Sequence, residues 1–270
     1  MDATSLVSAW NALVVQLSFV FTEPTARVWR QIALGWVLHR GPATVTGMYQ
    51  TLGDLADRHW TVYEKFFYRA AWSLNDLSLR LMMHVVYPLI VESGVVDERS
   101  GKPVADVNVD DTTVGRCGKH VAHAGWFKDA SASGASHRGT VIHWAHNWIV
   151  GAVTLRLPKW PRLRWVLPVL FALYRKRPDC NKEHDFRPRQ VLAAAMVCDL
   201  AQACPHVQWR VAADGQYATR QMIEGLPVGV NLVSRIRGDA ALYDLPPIRR
   251  KSGRRGAPRK RGRRLPAPRK

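Results

Sequence analysis

The sequence predicts a mixed α/β fold preceded by an all-helical region. Residues 1–95 carry apolar side chains at helical spacing, whereas predicted strands and helices alternate from residue 96 to 248. The 270 residues are 47% hydrophobic and 22% charged, which is ordinary for a protein that buries a core. We therefore predict a helical N-terminal domain (1–95), a mixed layer (96–248) and a basic, disordered segment (249–270).

The first region predicts a succession of amphipathic helices. Residues 25–41 place apolar or aromatic side chains at helical spacing, with Thr25 as a plausible cap and Gly41–Pro42 as the stop. Residues 43–72 predict a short helix, a turn and a longer helix, and residues 73–90 a further helix. Because a helix-turn-helix has this form, residues 43–72 are the best candidate for a DNA-binding element.

The second region predicts strands separated by helices. A Gly-, Pro- and charge-rich connection begins near residue 96 and marks the change. The predicted strands are 104–111, 119–127, 139–157, 207–215 and 228–237, and the predicted helices are 164–174, 187–205 and 217–227.

The charge of the chain predicts a polyanionic partner. The formal net charge is +18, and twelve Lys or Arg residues without any acid lie in residues 249–270. Such a segment binds nucleic acid nonspecifically and with a steep dependence on salt. We find no apolar run long enough to span a membrane, and the four cysteines are scattered without a CxxC pair, so we expect a cytoplasmic protein with reduced thiols.

Acidic residues nevertheless end two of the predicted strands. Asp110 and Asp111 close the strand that begins at residue 104, and Asp214 follows the strand that ends at Ala213. If these strands are neighbours, the carboxylates meet and repel one another unless a divalent cation lies between them. Oxygen ligands of this kind suit Mg²⁺, which also binds phosphate oxygens.

Each acidic stretch also has a purely structural interpretation. Asp110 and Asp111 precede two threonines, which is typical of a polar turn, and Asp214 with Gly215 is a common turn pair. Two HxxH pairs lie in strand-like segments, where residues three apart point to opposite sides, and this disfavours a zinc site.

Four motifs occur in order along the chain: VNVDDTTVGRCGKHV, GTVIHWAHNWIVGAV, VAADGQYATRQMIEG, and VNLVSRIRGDAALYDLPP with the basic run that follows it. In this order and spacing they resemble the DDE-type transposases of bacterial insertion sequences. The resemblance covers roughly residues 10–270. It implies an RNase H-like catalytic core, preceded by the helical domain, with three acids that bind Mg²⁺ or, in its place, Mn²⁺. It also implies hydrolysis at the ends of a mobile DNA element and joining of the 3′ ends to target DNA.

By that resemblance Asp110 matches the first catalytic acid and Asp214 the second, with Asp111 as the alternative for the first. Alternation from Val107 and Val109 places Asp111 on the apolar side of the strand and Asp110 on the other. Both assignments stay open, because such alternation often fails at the end of a strand.

The third acid of the family pattern, a Glu after the last predicted strand, is missing. The acids that follow Asp214 are Glu224, Asp239 and Asp244, and none has the expected place. We therefore expect an incomplete core, from a truncated or split reading frame, that cuts DNA poorly by itself. The alternatives are a noncatalytic DNA-binding protein that inhibits a complete transposase, and a basic RNA-binding protein.

The expected partner is duplex DNA, at the element ends and at the target, bound by a homodimer. Nothing in the sequence implies a membrane, a small-molecule substrate or an organic cofactor. The candidate phosphate contacts are Arg116, Lys119, Arg254, Arg255, Arg259, Lys260, Arg261, Arg263 and Arg264.

Overall fold

The computed structural model describes residues 2–118, 120–129, 132, 139–180, 186–236, 239–247 and 260–267. Helices come first and a six-stranded sheet follows, so the predicted mixed α/β fold is confirmed. The helices are α1 (Ala3–Ser18), α2 (Glu23–Leu38), α3 (Val45–Leu52), α4 (Trp60–Tyr68), α5 (Leu74–Leu81), α6 (Tyr87–Glu92), α7 (Arg189–Ala203) and α8 (Arg220–Gly225).

Side-chain caps fix where several helices begin. Asp2 accepts a hydrogen bond from the backbone N–H of Ser5 at the start of α1, and Thr44 accepts one from Gly47 at the start of α3. Ser73 and Thr219 cap α5 and α8 in the same way. These contacts satisfy N–H groups that have no partner within the helix. A π-helical turn over residues 82–86 joins α5 to α6.

The sheet has both parallel and antiparallel pairs. Its strands are β1 (Val104–Gly115), β2 (Gly125–Lys128), β3 (Ile142–Leu155), β4 (Trp165–Tyr174), β5 (Gln208–Ala213) and β6 (Asn231–Ser234). The order is β2-β3-β1-β5-β6, and β4 also pairs with β3. β1 is antiparallel to β3 but parallel to β5, and β5 is parallel to β6. Strands β1, β5 and β6 therefore run in one direction.

Strand β4 corrects one prediction. The sequence analysis assigned residues 164–174 to a helix, and this is wrong, because Trp165–Tyr174 pairs along β3. The pairing shifts register at Gly151–Ala152, where Pro168 lies opposite Ala152. Proline is tolerated in strands at such irregularities and at sheet edges, since no ladder hydrogen bond to its nitrogen is needed there.

Buried side chains form two clusters. One lies among the N-terminal helices and includes Ile32, Met48 and Tyr63. The other covers one side of the sheet, and it contains Val107 and Val109 of β1 together with residues of α7 and the segment from Met82 to Ile90. The last N-terminal helix therefore packs against the sheet, although the predicted boundary at residue 95 falls beyond it.

The opposite side of the sheet is more open to solvent. Asp106 and Asn108 of β1 lie there with Thr154 of β3 and Arg210 of β5, and they line a groove of about 800 Å³. An ion pair joins Arg210 to Asp106, with 2.7 Å between Nε and Oδ1. The side of the sheet that carries Asp110 is therefore polar and accessible along β1.

Part of the basic segment differs from the predicted disorder. Residues 260–267 lie within the described chain, and the backbone N–H of Leu265 donates to the carbonyl of Leu242. The guanidinium of Arg261 lies 5.0 Å from the ring centroid of Tyr243, which is a cation–π contact. This second contact explains how so basic a stretch is held against residues 242–245.

No helix in the described part of the chain is both long and apolar enough to cross a membrane. The four cysteines are free thiols, and the most buried of them is Cys204.

A pair of valines tests the position of the sheet core. Val153 in β3 is fully buried, whereas Val228 is fully exposed. We expect Val153→Ala to lower the free energy of unfolding by about 2 kcal/mol, because it removes buried methyl groups and leaves a cavity. The matched Val228→Ala should change it by less than about 0.5 kcal/mol. Urea denaturation measures both, and equal effects would contradict the described core.

Candidate active site

The parallel pair of β1 and β5 brings Asp110 and Asp214 together. The register places Val109 opposite Ala213, so Asp110 of β1 lies beside Asp214, the first residue after β5. Burial raises the pKa of the Asp110 carboxyl above its ordinary value, and the negative charges of Asp111 and Asp214 raise it further. Two acids that are 104 positions apart in the sequence therefore share one site, and the charge of Asp214 disfavours the anionic form of Asp110.

Asp111 lies on the other side of the same strand. Its register partner is Ile149, which is buried in the sheet core. One carboxylate oxygen, Oδ2, accepts a hydrogen bond from Asn147 Nδ2 at 2.8 Å and lies 3.6 Å from Arg189 Nε. The side chain of Asp111 is 18% exposed, so its charge is balanced inside the protein by Arg189.

Three contacts hold the strand end that carries Asp214. Its carboxylate accepts a hydrogen bond from the backbone N–H of Gln216 at 2.9 Å, and its carbonyl accepts one from Ser234 Oγ at 2.7 Å. A Cβ atom on Gly215 would lie 2.8 Å from the carbonyl oxygen of Arg235, so only glycine allows this approach. The turn is thereby tied to β6.

The sequence analysis did not identify Arg189 and Tyr217, which lie beside these acids. Arg189 begins α7, and its guanidinium lies 4.8 Å from the ring centroid of Tyr174. Tyr217 is 1% exposed, and burial raises the pKa of its hydroxyl, as do the charges of Asp111, Asp110 and Asp214. Pro188 predicted the start of the helix and therefore the place of Arg189 in its first turn. No sequence pattern indicated that Tyr217 lies at the site.

The other acidic candidates have partners elsewhere. Glu224 lies on α8 and accepts a hydrogen bond from Arg220 Nε at 2.7 Å on the protein surface. Within the described ranges, no group of three or more His, Cys, Asp or Glu side chains is placed to hold a metal ion. The described site therefore offers the carboxylates of Asp110 and Asp214 together. The carboxylate of Asp111 lies on the other side of β1 and is paired with Arg189.

The basic candidates are only partly described. Arg116 is exposed, and its Nε donates to His146 Nδ1 at 2.9 Å. Lys260, Arg261, Arg263 and Arg264 are exposed within residues 260–267. Lys119, Arg254, Arg255 and Arg259 lie outside the described residues. The contacts of all nine with DNA remain predictions.

The match that decides the family covers almost the whole chain. A family model described as DDE superfamily endonuclease matches residues 16–270. The chain belongs to this family. The mixed sheet and the preceding helices agree with the RNase H-like core that the resemblance implied. Membership places the chain in a family of endonucleases.

Comparison with solved structures gives a more distant likeness. The Drosophila P element transposase strand transfer complex is similar over 71% of this chain and 48% of that chain, at 12% sequence identity and a TM-score of 0.24. This chain thus spans about half the length of that one, and the family assignment rests on the family match alone. Comparison with curated proteins finds no match.

The raised pKa of Asp110 predicts a specific dependence of stability on pH. The folded state holds this proton more tightly than the unfolded state, so the stability that Asp110 contributes should be lost as the pH rises from 3.8, the ordinary value, through the raised pKa. Asp110→Asn removes the group, and it should be more stable than the unaltered chain above that window. Urea denaturation in EDTA at a series of pH values measures the difference.

The matched control is Asn108→Ala, which alters an uncharged side chain two residues before Asp110 on the same strand. Because it removes no titratable group, its curve should run parallel to that of the unaltered chain over the same pH values. An Asp110→Asn curve that also runs parallel would contradict the raised pKa of Asp110.

Proposed function

We propose that this chain is a DDE-type transposase that uses Mg²⁺ to hydrolyse phosphodiesters at the ends of a mobile DNA element and to join the 3′ ends to target DNA. The observation that carries the proposal is the meeting of Asp110, within β1, and Asp214, the first residue after β5. Their mutual repulsion is the condition that a bound cation relieves. Membership of the DDE superfamily endonucleases supports the same chemistry.

The donor set fits a hard divalent cation. Asp110 and Asp214 offer carboxylate oxygens at one solvent-accessible edge, and DDE superfamily endonucleases generally use divalent metal ions. A bound cation would polarise a phosphoryl oxygen and stabilise the charge that develops on it. We assign the first ligand to Asp110 rather than Asp111, because Arg189 and Asn147 already engage the Asp111 carboxylate.

Two carboxylates leave most of the Mg²⁺ coordination to water and phosphate oxygens. No third acid joins Asp110 and Asp214 in the described part of the chain, and Glu224 is paired with Arg220. Because reaction rates depend strongly on how reacting groups are positioned, we expect this chain to cleave DNA slowly when it acts alone.

The charge distribution supports duplex DNA as the partner. The chain has a formal net charge of +18, and residues 260–267 display four exposed cations. These cations can neutralise phosphates without reading sequence, while the acids face the bond to be cut. Binding of two DNA ends by a homodimer and a cytoplasmic location remain predictions.

A noncatalytic role is the second candidate. The absence of a third acid beside Asp110 and Asp214 within the described residues favours it. In that case the chain would occupy element ends and block a complete transposase. Equal affinity for duplex DNA and duplex RNA would instead favour an RNA-binding protein.

Isothermal titration with Mn²⁺ tests the metal site. We expect the unaltered chain to bind Mn²⁺, and we expect Asp110→Asn and Asp214→Asn each to weaken binding at least roughly 10-fold, since each removes a charged ligand. Asp106→Asn is the matched control, because Asp106 lies four residues before Asp110 on the same strand and is paired with Arg210. It should leave binding unchanged.

Two outcomes would contradict the metal site. Mn²⁺ binding that survives both substitutions would place the cation elsewhere. Robust Mg²⁺-dependent cleavage of DNA that Asp214→Asn leaves unchanged would reject the assignment of both acids.

A further inference from the structure

A buried hydroxyl without a partner lies in the turn that follows Asp214. Tyr217 is 1% exposed, and its Oη has no hydrogen-bond partner among the described residues. Its ring belongs to the same buried cluster as Val109 of β1, and Gln190, next to Arg189, donates to the carbonyl of the preceding Gln216. Buried polar groups in native proteins almost always have a partner, so an unpaired one beside a charged site requires an explanation.

Asp111 lies on the core side of β1, and its carboxylate can accept further hydrogen bonds. Asp111 accepts one hydrogen bond, from Asn147, and Arg189 Nε lies 3.6 Å from the same oxygen, which is beyond hydrogen-bond distance. Arg189 Nε is itself buried without a hydrogen bond. Tyr217 and Arg189 therefore each carry a buried donor on the side of β1 where Asp111 lies, and neither donates a hydrogen bond to the Asp111 carboxylate.

The backbone connects this carboxylate to the exposed one. Asp110 and Asp111 are consecutive residues of β1 whose side chains lie on opposite sides of the sheet, and the Asp111 backbone N–H donates to Asp110 Oδ1 at 2.8 Å. A contact that restrains Asp111 therefore also restrains the backbone N–H that orients the Asp110 carboxylate. Residues that orient metal ligands in this way affect metal affinity without touching the metal.

We propose that Tyr217 is a positioning residue of the acidic site, whose hydroxyl donates a hydrogen bond to the Asp111 carboxylate when a divalent cation occupies Asp110 and Asp214. The inference rests on the proposed function. The contact lies on the side of the sheet opposite the cation. It gives the buried Tyr217 hydroxyl the hydrogen-bond partner that it lacks. Tyr217 acts through Asp111 and touches neither DNA nor cation.

A merely structural tyrosine predicts the opposite behaviour. If the hydroxyl were only an unused polar atom in the core, Tyr217→Phe would remove an unsatisfied group and keep the ring. The free energy of unfolding would then stay equal or rise, and the affinity for a cation would not change. Metal affinity is therefore the readout that separates the two roles.

The test compares Tyr217→Phe with Tyr63→Phe by Mn²⁺ titration and by urea denaturation of the full chain. Tyr63 is also fully buried, but its hydroxyl already donates to Gln31 Oε1 in the N-terminal helices. We expect Tyr217→Phe to weaken Mn²⁺ binding roughly 10-fold or more without loss of metal-free stability. Tyr63→Phe should lower the urea midpoint and leave Mn²⁺ binding unchanged.

A double substitution tests the route through Asp111. Asp111→Asn weakens the acceptor, so it should also weaken Mn²⁺ binding, and adding Tyr217→Phe should cause little further loss because the two residues act as one unit. Fully additive losses would overturn the proposed route.

The remaining outcomes separate this inference from the proposed function. If the unaltered chain binds Mn²⁺ through Asp110 and Asp214 but Tyr217→Phe binds it within twofold as well, the inference is overturned and the proposed function stands. If the unaltered chain does not bind Mn²⁺, or binds it regardless of Asp110→Asn and Asp214→Asn, both are overturned.

Discussion

The parallel pairing of β1 with β5 is the constraint on which the rest of the site depends. β1 lies between β3 and β5, and its core-facing valines are completely buried, so its register is fixed on both sides. A slip of one residue would turn every side chain of the strand to the other side of the sheet. The register of Val109 with Ala213 therefore determines that Asp110 meets Asp214.

Alternation along β1 gives its two consecutive acids different environments. Asp111 points into the protein, where Asn147 and Arg189 engage its carboxylate, and Asp110 points outward to a neighbour of like charge. Asn147 donates to the inward carboxylate and Arg189 lies 3.6 Å from it, whereas burial and repulsion destabilise the outward carboxylate as an anion. The two consecutive acids thus differ. Asp111 is held in an ion pair, and Asp110 presents a carboxylate that is suited to a cation.

The end of β5 could be predicted because the Asp214–Gly215 turn is a local signal. The predicted end of β1 at Asp111 is wrong, because pairing with β3 extends the strand to Gly115. Alternation in residues 104–111 and the Asp214–Gly215 turn were sufficient to propose that distant acids meet. Strand β4 could not be predicted, because its unbroken apolar run fits a buried strand or a helix equally well and only pairing with β3 decides. Arg189 and Tyr217 were missed for a similar reason: their roles arise only when the start of α7 and the turn after β5 pack beneath β1.

Anomalous diffraction from crystals grown with duplex DNA and Mn²⁺ would test the central claim most directly. The account predicts a Mn²⁺ peak within about 2.5 Å of carboxylate oxygens from both Asp110 and Asp214, with Asp111 still turned toward Arg189. A peak coordinated by Asp111 in place of Asp110, or one that neither Asp110 nor Asp214 contacts, would contradict it.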